Sequence, residues 1–483
     1  MTEHFDVMIV GAGLSGIGAA YRLQAECSKK TFVIVEGRAA LGGTWDLFRY
    51  PGIRSDSDMQ TMGFSFRPWT GEKAIADGAA ILNYLKETAA EYGIDQHIRF
   101  NHRVIEARWS SVEARWTVKI ERGPSRETVI ISCSFLYMCT GYYNYGQGHT
   151  PEFAGADRFR GQIVHPQEWP AALDYAGKQV VIIGSGATAV TLVPAMAGTA
   201  AHVTMLQRSP TYIVARPGTD AFVAKLEKYL PATWASRVTR WKNILLGMYF
   251  YRVARKQPEK FSSLVIGAAK AHLGEDYDVG THLTPKYKPW DQRLCLVPDA
   301  DLFKAIRKGD ASIVTDTIES FSENGVKLAS GAELPADIIV TATGLKLQLL
   351  TGIDIYVDGE RVDFSRTFNY RGAMFSGVPN FALTIGYAHI SWTLKAELTS
   401  VYVCRLLKYM DRHRWRSAVP QLVEGSVGEQ PLFALTSGYA KRALADLPKQ
   451  GTTRPWTLHQ NYPRDRIAMR FGKIKDGALR FAR

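Results

Sequence analysis

Phe5-Asp-Val-Met-Ile-Val-Gly-Ala-Gly-Leu-Ser-Gly16 runs from an apolar, β-branched stretch straight into a glycine turn. Such a stretch, with no polar alternation, reads as a strand buried on both faces. Leu14 to Ala25 then carries helix formers with apolar positions at helical spacing, and Thr31-Phe-Val-Ile-Val35 reads as the next strand. That strand ends at Glu36, 20 residues beyond Gly16. Each part has a physical task in holding a dinucleotide. Gly11, Gly13 and Gly16 allow a tight turn and close approach of a pyrophosphate. The helix start, with Ser15 in its first turn, offers N–H groups and a positive dipole, and Glu36 accepts from a ribose 2′-hydroxyl. An acid at that point repels a 2′-phosphate, so the site suits FAD or NAD rather than NADP.

The same arrangement returns downstream. Lys178-Gln-Val-Val-Ile-Ile183 reads as a strand and Gly184-Ser185-Gly186-Ala187-Thr188-Ala189-Val190 as its turn, with alanine in place of the third glycine. The following strand, His202-Val-Thr-Met-Leu206, ends in Gln207-Arg208-Ser209 instead of an acid. A guanidinium at Arg208 is a charge-matched, bidentate partner for a 2′-phosphate, and Ser209 adds a donor. Two sites of opposite charge preference on one chain predict FAD in the first and NADPH in the second.

With 483 residues, the chain is long enough for two or three domains, and 46% hydrophobic with 22% charged residues is ordinary for a globular protein. The start of the chain has no signal-peptide pattern, and no apolar run reaches membrane-spanning length, so a cytoplasmic location is expected. Cys27, Cys133, Cys139, Cys295 and Cys404 are scattered without a C-x-x-C, which predicts reduced thiols and neither disulfides nor a metal cage. The net charge of +13 is concentrated in residues 401–483, where 16 Lys and Arg face 6 Asp and Glu. No nucleic-acid-binding motif accompanies that charge, so nucleic acid is not an expected partner. Attraction of anionic cofactors, or peripheral contact with an anionic membrane, fits it better.

The fold class expected is α/β: two Rossmann-like dinucleotide-binding domains with a helical insertion. Residues 1–145 read as the first part of the FAD domain and 146–216 as the first part of the NADP domain. The insertion is expected at 217–289, where helical periodicity takes over, with the NADP domain resuming over 290–336. The FAD domain and the basic C-terminal segment would then occupy 337–483. Phe135-Leu-Tyr-Met-Cys-Thr-Gly141 and Ile338-Ile-Val-Thr-Ala-Thr-Gly344 are matched strand endings, read here as bracketing one interrupted first domain. Arg103–Ala107 and Trp116–Ile120 read as antiparallel strands of a meander. The cluster from Val238 to Arg252 reads as a helical cap, or alternatively as a basic, aromatic-rich face that lies on a membrane.

Phe159-Arg-Gly-Gln-Ile-Val-His165-Pro-Gln-Glu-Trp169-Pro170, just ahead of the second turn, fits F-x-G-x-x-x-H-x-x-x-W-P. Gly42-Gly-Thr-Trp-Asp-Leu-Phe-Arg-Tyr-Pro-Gly-Ile-Arg-Ser-Asp56 follows the first turn as G-G-x-W-x-x-x-x-Y-P-G-x-x-x-D. Both strings resemble those of the Baeyer–Villiger monooxygenases, class B flavoprotein monooxygenases. Over nearly its whole length the chain is similar to the subgroup whose mycobacterial members activate ethionamide. The resemblance implies NADPH- and O₂-dependent conversion of ketones to esters or lactones through a C4a-peroxyflavin, with thioethers and thioamides as further substrates. It implies that Gly43, Thr44, Trp45, Asp46 and Leu47 lie along the flavin and its pyrophosphate, and that the Val104 backbone pairs with adenine. Arg54 and Ser55 would lie near the nicotinamide and Asp56 beside the isoalloxazine. Arg293 would enter the active site as the catalytic cation, held by Asp56. Gln292 stands where many relatives carry lysine, which weakens the NADPH preference. The string around His165 is implied to couple domain movement, and Gly386-Tyr-Ala-His-Ile-Ser-Trp392 to build part of the substrate pocket.

A flavin N- or S-monooxygenase acting mainly on amines or sulfides is the nearest alternative. A pyridine nucleotide–disulfide oxidoreductase shares the double layout but needs a redox cysteine pair near the flavin, which this chain lacks. A non-catalytic flavoprotein sensor or adaptor would consume no NADPH with any substrate.

Overall fold

The computed structural model describes residues 2–423, 425–433 and 436–483. Strand Glu3–Val10 lies inside a nine-stranded sheet, parallel to Phe32–Val35 on one side and to Glu127–Met138 on the other. Successive side chains of a strand point to opposite faces, so an uninterrupted apolar run needs cover on both. Val7 and Ile9 share a core with Ile17 of helix Leu14–Glu26 and with Leu398 and Tyr402 of helix Trp392–His413. Met8 and Val10 face Trp116, Phe375 and Phe381 on the other side. The expected meander is present as His102–Ser110 and Arg115–Arg122, antiparallel and in register through Val104 and Ile120. Asp354–Val357 adds to its outer edge, parallel to His102–Ser110.

Gln179–Ile183 is the middle strand of a second, all-parallel sheet. Its order is Ala311–Thr315, His202–Gln207, Gln179–Ile183, Ile338–Thr341, Gln162–Val164. Val180 and Ile182 pack with Val190 and Val193 of helix Ala187–Met196. Val181 and Ile183 pack with Phe321, Val326 and Leu328 from a small antiparallel sheet on the other face.

Strand Ile338–Thr341 corrects one expectation. A boundary at 336/337 would give this strand to the first domain, but its register with Val180–Ile183 sets it inside the second sheet. The glycine turns supply the reason. A Cβ on Gly11 (φ +105°) would stand 2.7 Å from the Cys139 carbonyl oxygen, and one on Gly184 (φ +141°) 2.4 Å from that of Ala342. Each strand-Thr-Gly ending therefore closes against the turn of its own domain, and the two do not bracket the first. The chain returns to the first sheet only with Asp354–Val357 and then Phe381–Leu383.

The insertion leaves and rejoins through a parallel pair, Ile213–Arg216 with Cys295–Pro298. Between them stand helices Ala221–Glu227, Ala232–Lys256, Pro258–Leu273 and Val279–Leu283. Although it springs from the second domain, the insertion is bolted to the first. Arg240 donates to the carbonyls of Gln60 at 2.9 Å and Gly63 at 2.6 Å, and pairs with Glu397 at 2.8 Å. Among the described residues, no helix is long and apolar enough to cross a membrane.

Candidate active site

Helix Leu14–Glu26 starts at Gly13 with no side-chain cap and no acid in its first turn, which leaves its leading N–H groups for an anion. Glu36 is buried at the end of its strand. Its Oε2 accepts from the Ala12 N–H at 2.7 Å and its Oε1 from the Arg38 N–H at 2.9 Å. Burial pushes the carboxyl up, and the two N–H donors oppose that shift. A Cβ on Gly16 would stand 1.9 Å from the Gly11 carbonyl oxygen, so the turn has no room for one. Ser15 Oγ accepts from the Trp392 indole N–H at 2.9 Å, which brings the loop before helix Trp392–His413 onto the turn.

The stretch from Gly42 to Asp56 crosses between domains. Gly43 backs onto Gly13, where an added Cβ would be 3.2 Å from the Gly13 Cα. Thr44 Oγ1 shares a 2.5 Å hydrogen bond with the Tyr143 hydroxyl, and Trp45 packs on Met59 and Met62. Phe48 and Tyr50 then sit in the second domain's core, with Leu47 packed against it. Gly52 is pressed against helix Ala187–Met196, 2.6 Å from the Ala195 Cβ were it to carry one of its own. This loop joins the two glycine turns.

Arg293 and Asp56 meet at its end. Arg293 Nη2 lies 2.7 Å from Asp56 Oδ2, although the two are 237 positions apart in the chain. The Asp56 carboxylate raises the guanidinium further above its already high value, so the cation persists at any working pH. Tyr142 lies within the field of this cation, and its ring stacks on Trp392 at 5.0 Å. The path from cation to first turn is thus Arg293, Tyr142, Trp392, Ser15. On the insertion side, His389 stacks on Tyr251 at 4.1 Å and meets the edge of Trp290. It is 9% exposed, and among the described residues neither ring nitrogen has a hydrogen-bond partner. Burial, reinforced by the nearby Arg293 charge, lowers it to about 4, so it is neutral at working pH.

At the second turn, helix Ala187–Met196 starts at Gly186, again uncapped by a side chain and without an acid. A Cβ on Gly186 would meet nothing within 4 Å, so the backbone there lies open to an approaching group. Ser185 Oγ donates to the Ser209 carbonyl at 3.1 Å and so ties the Arg208 loop to the turn. Arg208 is exposed. Gln207 is turned inward, donating to the His282 carbonyl at 2.7 Å and to Thr315 at 2.9 Å. His165 Nδ1 accepts from the Gln167 N–H at 3.1 Å, while its buried Nε2 has no partner.

The residues named from sequence divide into two groups. Asp56 with Arg293, Ser185 with Ser209, and Gly13 with Gly43 are brought together. Two others spend their charge elsewhere. The Asp46 carboxylate is held by Arg38 and Arg49, both at 2.6 Å, so it anchors its own loop. Arg54 pairs with Asp301 at the start of helix Asp301–Lys308. Val104 stays in the meander, next to a register shift that ends at Glu106. Ser55 is buried, its hydroxyl without a partner. Sequence reasoning named His389 and Trp392 only as parts of a loop. The Tyr142-Tyr143 pair stood in plain view after Gly141, but no spacing rule marks an aromatic wall.

Both turns fit a dinucleotide, on two uncapped helix starts, a buried carboxylate at Glu36 and the open backbone at Gly186. Residues 6–241 match the model of a family described as flavin-binding monooxygenase-like. Over 484 aligned residues the chain is 55% identical to the FAD-containing monooxygenase EthA of Mycobacterium tuberculosis, covering 100% of this chain and 99% of the relative. It is 48% identical to the probable FAD-binding monooxygenase AlmA of Acinetobacter baylyi, with 100% and 97% covered. Among solved structures it resembles cyclohexanone monooxygenase from Rhodococcus sp. Phi1 bound to NADP⁺, with TM-score 0.78, 18% identity and all of both chains covered. It also resembles an oxidized steroid monooxygenase bound to NADP, with TM-score 0.75, 21% identity and 99% of each chain covered. These likenesses carry the fold, two dinucleotide domains on one polypeptide. With its whole length matched at 55% identity, the chain belongs to the flavin-binding monooxygenase-like family and is a flavin-dependent oxidoreductase.

Proposed function

We propose that this monooxygenase carries out Baeyer–Villiger oxidation, taking a ketone, O₂, NADPH and a proton to an ester or lactone, NADP⁺ and water. Thioethers and thioamides would be oxidised at sulfur in the same pocket. FAD is assigned to the first turn and Glu36, and NADPH to the second turn with Arg208 and Ser209. When bound, the reduced flavin supplies the activated oxygen.

The observation that carries this reading is the Arg293–Asp56 pair, 2.7 Å apart where the loop joining the two turns ends. Oxygen insertion beside a carbonyl builds negative charge on oxygen, and a fixed cation beside that oxygen lowers the barrier. Arg293 is that cation, permanently charged. Asp56 orients it, and one ionic contact leaves the other guanidinium N–H groups free to donate. Tyr142, Trp392, Tyr251 and Trp290 wall the space with aromatic surface. His389, neutral and buried beside Tyr251 and Trp290, adds no second charge beside Arg293. The thiol of Cys295 is pushed up to about 12 by burial, so it offers no competing nucleophile.

The test is product analysis under ¹⁸O₂ with FAD-loaded protein, NADPH and a series of aliphatic ketones, with a thioether run in parallel. Esters carrying one ¹⁸O are expected. Sulfoxide formed while every ketone is returned unchanged would overturn the Baeyer–Villiger assignment in favour of a sulfur oxygenase.

A further inference from the structure

Helix Ala232–Lys256 has six basic residues and no acid in its 25. Its outer side carries Trp234, Val238, Trp241, Leu245 and Tyr249, spaced by three and four residues and all solvent-exposed. Trp234 is 57%, Leu245 55% and Tyr249 61% exposed. The stripe runs over about 22 Å at 1.5 Å per residue. Exposed Arg252 and Lys256 continue the same line and exposed Arg237 flanks it, lying over the Trp234 ring at 5.4 Å, while half-buried Lys242 is paired with Asp220 at 3.3 Å. The opposite side of the helix is spent on the protein, through buried Arg240 and Ile244.

A second helix extends the surface. Tyr462–Phe471 touches the first through the Trp241 and Tyr462 rings at 5.6 Å, and Arg466 lies over Trp241 at 5.5 Å. Its Ile467 and Phe471 are 63% and 65% exposed. The only acid in this helix, Asp465, is buried and paired with Lys395 at 2.9 Å. The combined face is aromatic and aliphatic at its centre and cationic at its rim. Soluble surfaces seldom expose so many large apolar side chains together.

We propose that this face docks on an anionic lipid bilayer, with the two helices lying in the plane of the interface. Trp and Tyr sit at the headgroup level and Leu, Val and Phe reach the acyl boundary. The Arg and Lys rim meets lipid phosphate, the arrangement of interfacial amphipathic helices. Charge decides against a second copy as occupant. A two-fold dimer sets a surface against itself, and here that would bring together two rims in which basic residues outnumber the acids Asp220 and Glu227 beside them. The inference is independent of which substrate is oxidised.

The experiment is co-sedimentation of the FAD-loaded full chain with vesicles of phosphatidylcholine alone and of equal phosphatidylcholine and phosphatidylglycerol. Binding is expected only to the anionic vesicles and is expected to fall as salt rises. The variant W234S/L245S/Y249S should stay in the supernatant while keeping its flavin and its NADPH oxidation. R237Q/R252Q should bind on the order of 30-fold more weakly, from two lost cationic contacts. Three results would overturn the proposal: no binding of the wild type to anionic vesicles, unchanged binding of the triple variant, or equal binding to neutral vesicles. A wild type that is dimeric without lipid, against a monomeric triple variant, would assign the face to self-association instead.

Discussion

Arg240 Nη2 lies 2.8 Å from Glu397 Oε2, with the two residues 8% and 6% exposed, and this pair joins the insertion to the first domain. Ser65 adds donors to the same carboxylate from its N–H at 2.8 Å and its hydroxyl at 2.6 Å. Breaking a buried pair strands a charge, at a cost of about 3–5 kcal/mol, whereas removing both partners is far cheaper. Arg240→Met should therefore lower Tm sharply, and Arg240→Met/Glu397→Leu should recover much of the loss. Calorimetry of the two variants checks this; equal losses would mean the pair is not coupled as described.

Arg293→Ala should lower ketone turnover by about 100-fold or more, the scale seen when charge stabilisation is removed from an oxyanion. Anaerobic flavin reduction by NADPH, which does not need this charge, should be unaffected. Stopped-flow absorbance separates the two steps. A variant that oxygenates ketones at the wild-type rate rules out Arg293 as the catalytic cation.

The two turns predict opposite outcomes for one substitution. Gly16→Ala forces a Cβ to 1.9 Å from a carbonyl oxygen, so the first turn must distort. Loss of bound flavin and a lower Tm are expected. Gly186→Ala meets open space at φ −81°, which alanine adopts readily, so Tm should hold or rise slightly. Its cost should appear only as a raised KM for NADPH, because the methyl group fills the path of a pyrophosphate. Flavin content, Tm and KM read on both variants decide the matter.

Arg208→Ala should raise the KM for NADPH about 10- to 100-fold, the weight of a charge-assisted hydrogen bond, and leave NADH kinetics nearly unchanged. Steady-state kinetics with both nucleotides give the ratio. Equal effects on the two would show that Arg208 does not read the 2′-phosphate.

His389 titrates at about 4 in the folded protein, against 6.5 in its ordinary state. The unfolded chain therefore takes up this proton first. Above pH 6.5 the group costs the fold nothing, and as pH falls from 6.5 to 4 its contribution is lost progressively, reaching about 3 kcal/mol. His389→Asn should flatten the fall of Tm across that window relative to the wild type. Superimposable acid limbs in the two proteins would contradict the burial described for this ring.

Much of the architecture was legible in particular residues. The apolar run from Phe5 to Val10, the spacing of Gly11, Gly13 and Gly16, and the acid at 36 set against the base at 208 are local patterns. Secondary structure and a phosphate-binding turn are built from neighbours in the chain, so periodicity suffices to find them. The ownership of Ile338–Thr341 was misread because a buried parallel strand looks the same in either domain. Only its hydrogen-bonded register distinguishes the two.

The chain alone pointed to two dinucleotide turns of opposite charge preference following two buried strands, with a helical excursion over 217–289. Tertiary structure alone decided which side chains those turns serve. Arg293 reaches Asp56, Trp392 reaches Ser15 and Arg240 reaches Glu397 across separations of 237, 377 and 157 residues. It also decided that Asp46 and Arg54 spend their charge on Arg38, Arg49 and Asp301. Charge and hydrogen-bonding capacity belong to a residue type, but the partner that uses them is set by packing, which joins positions that no local pattern connects.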